Sequence, residues 1–236
     1  MPTAGAACSP EPTPPPQVRP VAESDWAEAW KVGYQTVRFG RLVVIPTWIE
    51  TPLAAGEVPL RLEPGMAFGT GTHPSTQLCL LAVEQFAAPG KSVIDLGCGS
   101  GILAIAAVKL GCAPALGVDI DPQAVAVARQ NAAVNGVAGQ LRLEAGSQAE
   151  ILSGAFGQQQ GDLVLANILA RVLVLLAGQG LAQLVAPGGL LVASGILAEQ
   201  AAEVETAFTA AGLAVRERRQ MGDWVAVLAE RPAALV

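Results

Sequence analysis

From residue 92 onward, short runs of aliphatic and β-branched residues alternate with longer stretches of helical periodicity. Strands are expected at 92–97, 115–120, 141–145, 162–167, 189–195, 214–220 and 224–230, and helices at 101–110, 122–135, 171–185 and 198–211. The strands are almost continuously apolar, as parallel strands covered by helices on both faces are. Only Met221-Gly222-Asp223 separates the last two, too short a link for a crossover, so the final strand must return antiparallel. The expected fold class is α/β: a doubly wound seven-stranded sheet whose last strand is antiparallel.

Upstream the pattern is looser. Residues 37–49 read as two short strands around Gly40, 58–62 as a third, and 66–76 as a Gly- and Thr-rich loop. A helix is expected from Pro74, which suits a first helical turn, to about Phe86. Residues 24–31 predict a short helix with Trp26 and Trp30 on one face, and the segment around Pro14-Pro15-Pro16 an extended tail. The chain thus divides into a Pro-rich tail over 1–20, a linker helix over 21–35 and one domain over 36–236. Residues 172–198 carry no charge and are long enough to span a bilayer. Gly178, Gly180 and the turn signal Pro187-Gly188-Gly189 interrupt them, so a buried helix and a buried central strand are expected instead, with no membrane partner.

Composition narrows the classes. With 52% hydrophobic residues the chain can build a large core. A formal net charge of -6 argues against a broad nucleic-acid surface, which would be basic. The four cysteines form no C-x-x-C pair and have no neighbouring His cluster, so reduced thiols of a cytoplasmic protein are expected and a metal site is not. No basic segment followed by an apolar run opens the chain, so no secretory leader is expected.

The first regular strand runs into Asp95-Leu96-Gly97-Cys98-Gly99-Ser100-Gly101. Glycines there allow a tight turn and close approach of backbone to a ligand. A dinucleotide loop needs G-x-G-x-x-G, but position 102 is Ile. Asp95 would also repel a pyrophosphate, whereas it suits a cation such as the ammonium of a methionine moiety. Asp119 ends the next strand, where a carboxylate can accept both hydroxyls of a ribose; Asp121-Pro122 has the signature of a helix cap instead. Asn167 ends the fourth strand of the alternating series, on the edge where open α/β sheets bind ligands. Its side-chain carbonyl, with adjacent backbone carbonyls, can hold an amine with its lone pair directed at a methyl group; the alternative is that it satisfies a turn. Sheet, loop and carboxylates together resemble the class I S-adenosyl-L-methionine-dependent methyltransferases, and that resemblance implies the cofactor.

A more specific resemblance lies upstream. Glu63-Pro64-Gly65-Met66-Ala67-Phe68-Gly69-Thr70-Gly71-Thr72-His73-Pro74-Ser75-Thr76 is similar to a segment of the ribosomal protein L11 methyltransferase (PrmA) family. The similarity continues through 95–101, 117–122, 166–170 and 194–197. It implies methylation of lysine ε-amines and the N-terminal α-amine of a ribosomal protein, without direct nucleic-acid contact. By position it puts Thr76, Gly97, Asp119 and Asn167 on the cofactor, with Asp95, Gly99 and Gly101 completing the loop. Phe68 would border the methyl-transfer channel, leaving Asn167, Thr76 and Phe68 at the reacting centre.

Lysine is neutral about once in a few thousand molecules at pH 7, a cost of roughly 4.6 kcal/mol that a buried site beside a cation reduces. His73, the one histidine, sits beside Pro74 at a helix start and reads as loop structure more readily than as a base. Two departures stand out. Asn167-Ile168-Leu169-Ala170 has no aromatic where adenine and glutamine methyltransferases carry Asn-Pro-Pro-Tyr. The family also carries an N-terminal recognition domain on a helical linker, whereas only the Pro-rich segment precedes residues 24–31, so a chain lacking the recruiting module is expected. Three readings stay open: a protein amine methyltransferase, a small-molecule N-methyltransferase, and a cofactor-binding interaction protein.

Overall fold

Strands β4 (Val93–Leu96) and β7 (Gly161–Asn167) run side by side at the centre of a seven-stranded sheet. On one flank lie β5 (Ala115–Asp119) and β6 (Leu141–Ala145); on the other lie β8 (Val185–Leu197), β10 (Trp224–Glu230) and β9 (Ala214–Met221). The order is β6-β5-β4-β7-β8-β10-β9. The first five are parallel, while β10 is antiparallel to both β8 and β9. The expected doubly wound sheet with its antiparallel last strand is therefore present. A smaller sheet joins β1 (Val37–Phe39), β2 (Leu42–Pro46) and β3 (Val58–Leu62), with β2 and β3 parallel.

This computed structural model describes residues 35–63 and 71–233. The expected tail, the linker helix up to residue 34, and Phe68 lie outside the described residues.

Helices cover both faces of the sheet. On one side α1 (Pro74–Phe86), α2 (Ile102–Lys109) and α3 (Pro122–Val134) pack into a core that includes Leu78, Ile105 and Leu165. On the other, α5 (Ala170–Gly178) and α7 (Ala201–Ala210) bury Leu173, Val204 and Phe208 against Ile94 and Val164. Each fully buried aliphatic side chain contributes about 1.5–3 kcal/mol. Helix α2 is buried from Ile102 to Val108, which accounts for a sequence apolar on every face. At the base of the sheet, Asp162 Oδ2 accepts from the Ser92 N–H at 2.8 Å and the Ser92 hydroxyl at 2.7 Å, joining the starts of β4 and β7. These bonds hold the Asp162 carboxyl below its ordinary range.

Three expectations need correction. The helix expected over 171–185 is broken: α5 ends at Gly178, and Gly180, at φ 100°, starts the short α6 (Leu181–Leu184). A left-handed residue cannot continue a right-handed helix. The turn expected at Pro187-Gly188-Gly189 lies inside β8, where pairing with β7 jumps from Gly161–Val185 to Leu163–Leu190. It is a bulge, pinned where the Gly188 N–H donates to the Arg231 carbonyl at 2.8 Å. The helix expected from 198 begins as a 3-10 turn, Ala198–Gln200, before α7. A further short helix, α4 (Gln148–Leu152), follows β6 through a Ser147–Glu150 capping box. Among the described residues, no helix is long and apolar enough to cross a membrane.

Candidate active site

The sheet order reverses between β4 and β7, and a cavity of about 390 Å³ opens there, beyond the carboxyl ends of the strands. Its walls come from the segments after β4, β5, β6 and β7, with Thr76 of α1 and apolar residues of α2 and α5. The size falls within the range for small-molecule sites.

The glycine segment folds back on β5. The N–H groups of Gly97 and Cys98 both donate to the Val118 carbonyl, at 2.8 and 2.9 Å. Gly97, Gly99 and Gly101 all take left-handed backbone, with φ of 74°, 52° and 78°. A β-carbon at Gly97 would lie 2.5 Å from Ile168 Cγ2, and one at Gly101 would lie 3.0 Å from Ala128 Cβ. Gly97 and Gly99 line the cavity; Gly101 instead forms the N-cap of α2 against α3.

Asp119 ends β5 and ties this loop down. Its Oδ2 accepts from the Gly99 N–H at 2.9 Å and its Oδ1 from the Asp121 N–H at 3.0 Å. A carboxylate has about four acceptor positions, so lone pairs remain for a ligand. Asp121 caps α3, accepting from the Gln123 N–H at 2.8 Å with Pro122 following.

Asp95 does not line the cavity. It is 1% exposed beneath the loop, where Oδ2 accepts from the Ala104 N–H at 3.0 Å and Oδ1 has no partner. Burial lifts its carboxyl to about 7, against the Ala104 bond, and the charge of Asp119 adds to the rise. Cys98, also in the wall, is buried and its thiol is held protonated, first by burial and then by the charge of Asp95.

Across the cavity, Asn167 Nδ2 donates to Thr76 Oγ1 at 3.1 Å. Thr76 is fully buried and Asn167 Oδ1 is buried without a partner. A buried acceptor without a partner costs about 1–3 kcal/mol, and Asn167 bears that cost in a residue that lines the cavity. His73 is the N-cap of α1, with Nδ1 2.8 Å from Ser75 Oγ, and its ring stands edge-on to Trp224. It does not line the cavity.

Several wall residues lie outside the sequence expectations. Ile120 is 81% exposed and Leu169 is 54% exposed, both large apolar side chains at the mouth. Gln148 Nε2 donates to the carbonyls of Gln179 (2.8 Å) and Leu176 (3.3 Å), which fixes its amide and leaves Oε1 buried without a partner. Its partners lie on the far side of β7 in the chain, beyond the reach of local spacing. For Ile120 the one sequence signal is its position directly after Asp119, the carboxylate that ends β5.

Residues 7–232 match the family Ribosomal protein L11 methyltransferase (PrmA). The ribosomal protein L11 methyltransferase of Chloroflexus aurantiacus is 47% identical, the match covering 92% of this chain and 72% of that protein. That of Pelotomaculum thermopropionicum is 48% identical over 91% of this chain and 68% of its own length. Among solved structures, ribosomal protein L11 methylase from Lactobacillus delbrueckii subsp. bulgaricus is similar at a TM-score of 0.75 and 33% identity. That similarity covers 84% of this chain and 100% of the solved one. An RNA methyltransferase of Salinibacter ruber in complex with S-adenosyl-L-homocysteine, 22% identical at a TM-score of 0.50, shares the fold, covering 66% of this chain and 92% of its own.

Proposed function

Because the chain belongs to the ribosomal protein L11 methyltransferase family, we propose that this cavity binds S-adenosyl-L-methionine and directs its methyl group to amines of ribosomal protein L11. The activity is that of an S-adenosyl-L-methionine-dependent protein methyltransferase. The observation that carries the site assignment is Asn167, which lines the cavity with its amide fixed on Thr76 and its Oδ1 without a protein partner.

The wall suits the cofactor in three ways. Asp119 keeps lone pairs for ribose hydroxyls while its carboxylate anchors the loop. Gly97 brings backbone without a side chain into the cavity wall. Ile120 offers an exposed apolar face suited to a purine ring. Bound there, S-adenosyl-L-methionine supplies an electrophilic methyl on a sulfonium sulfur.

The acceptor amine must arrive neutral. Asn167 Oδ1 accepts one of its N–H groups and so orients the nitrogen lone pair, while Thr76 Oγ1 holds the amide in place. Ile168, Val172 and Leu176 present apolar surface that disfavours the ammonium form. Holding the two reactants aligned contributes roughly 7–11 kcal/mol toward the barrier. With His73 engaged in capping and Asp95 beneath the loop, the proton leaves to water before attack. The family resemblance points to lysine ε-amines and the N-terminal α-amine as acceptors, and such a target places the enzyme in the cytoplasm.

The test is to supply methyl-labelled cofactor with purified L11 and an equal concentration of Nα-acetyl-lysine. Label on L11 amines that is lost with Asn167→Ala supports the proposal. Label on the small amine alone would replace it with a small-molecule N-methyltransferase.

A further inference from the structure

Ile168 lies between two glycines in left-handed backbone, Gly97 of the cofactor loop at φ 74° and Gly195 of β8 at φ 81°. A β-carbon at Gly97 would stand 2.5 Å from Ile168 Cγ2. One at Gly195 would stand 2.5 Å from the Ile168 carbonyl oxygen and 2.9 Å from its carbon. Any side chain at either position would therefore displace Ile168. The Ile168 N–H donates to the Ser194 carbonyl at 3.1 Å, and Asn167 pairs with Ser194 in the β7–β8 register. Strand β8 thus holds the main chain of residue 168, and the cofactor loop meets its branched side chain.

We propose that Ile168 is a positioning residue whose Cγ2 methyl sets the separation between the cofactor loop and the Asn167 amide. It thereby sets the alignment of methyl donor and amine. The inference rests on the reading of Asn167 as the group that holds the amine. Branching at Cβ matters because it stiffens χ1, so Cγ2 is placed by the backbone rather than by a mobile side-chain end. Close-packed contacts pass displacement on rather than absorbing it. A shift of about 1 Å between reacting groups costs about 100-fold in rate.

The test separates branching from volume. Ile168→Val keeps Cγ2 and loses one methyl; Ile168→Leu keeps the volume and loses the branch; Ile168→Ala loses both. At saturating cofactor and L11, well below each variant's Tm, Ile168→Val is expected to stay within about threefold of the wild-type kcat. Ile168→Leu and Ile168→Ala are expected to fall about 10- to 100-fold. S-adenosyl-L-homocysteine binding, measured by calorimetry, is expected to change less than about threefold across the series, so that the loss appears in kcat rather than in cofactor affinity. A purely packing role would rank Ile168→Leu above Ile168→Val; that order, or unchanged kcat in all three, overturns the proposal. Asn167→Ala measured in parallel keeps the two readings apart. Full activity there refutes amine holding and this inference with it, whereas its loss alongside a volume-ordered Ile168 series refutes only the positioning role.

Discussion

Asn167 Nδ2 donates to Thr76 Oγ1 at 3.1 Å, joining the end of β7 to the first turn of α1 and leaving Asn167 Oδ1 as a buried acceptor. Under the proposed function the threonine acts by holding the amide. Thr76→Val keeps the shape and removes the hydroxyl, leaving the amide donor unpaired at a cost of about 1–3 kcal/mol. The expected result is a roughly 10- to 100-fold drop in kcat, with Thr76→Ser restoring most of it. Steady-state kinetics on the three proteins provides the check.

Asp119 and Asp121 stand two residues apart and do different work. Asp119→Ala removes the tie to Gly99 and the acceptor proposed for ribose, so S-adenosyl-L-homocysteine affinity should fall about 10- to 100-fold, from hydrogen bonds to a charged group of about 1.5–3 kcal/mol. Asp121→Ala removes only the cap of α3, costing about 1 kcal/mol of stability, with affinity nearly unchanged. Calorimetry and thermal melts on both variants distinguish the roles, and equal losses of affinity would refute the division.

Asp95 should make the ligand-free protein lose stability as pH rises. In the unfolded chain its carboxyl ionises near its ordinary 3.8, whereas burial raises it to about 7 in the folded protein. Its contribution is therefore undiminished below about pH 4, declines from there to about pH 7, and then levels off. The decline is on the order of 4 kcal/mol at most. Asp95→Asn cannot ionise, so its Tm should fall less than the wild-type Tm between about pH 5 and pH 8. Parallel Tm–pH curves would contradict the assignment.

Gly101→Ala should destabilise without touching the cavity wall. The position needs φ 78°, and a β-carbon would press on Ala128 Cβ at 3.0 Å. A left-handed non-glycine residue costs of order 1–3 kcal/mol, read as a lower Tm. Cofactor affinity in the folded fraction should change far less than in Asp119→Ala.

Much of this is legible in the sequence. Alternating apolar strands and helices carried the sheet, because parallel strands buried on both faces leave a strong local pattern. Gly97, Gly99, Asp119 and Asn167 were found from their places after strands, and all four line the cavity. Thr76, taken from the family resemblance, lies there too, whereas Asp95 and Gly101 do not. Local chemistry misled at Pro187-Gly188-Gly189, since a bulge and a turn use the same residues and only the partner strand distinguishes them. Ile168 against Gly195, and Gln148 against Leu176 and Gln179, are contacts between segments distant in the chain. No short-range spacing records them.

The central claim is that the Asn167 cavity delivers methyl groups to amines of L11. It is tested most directly by intact-mass spectrometry of L11 after reaction with methyl-labelled cofactor, using native L11 and L11 whose amines have first been acetylated. The expected result is stepwise methyl addition to native L11, none to the acetylated protein, and none with Asn167→Ala. Equal labelling of native and acetylated L11, or full labelling by Asn167→Ala, would contradict the account.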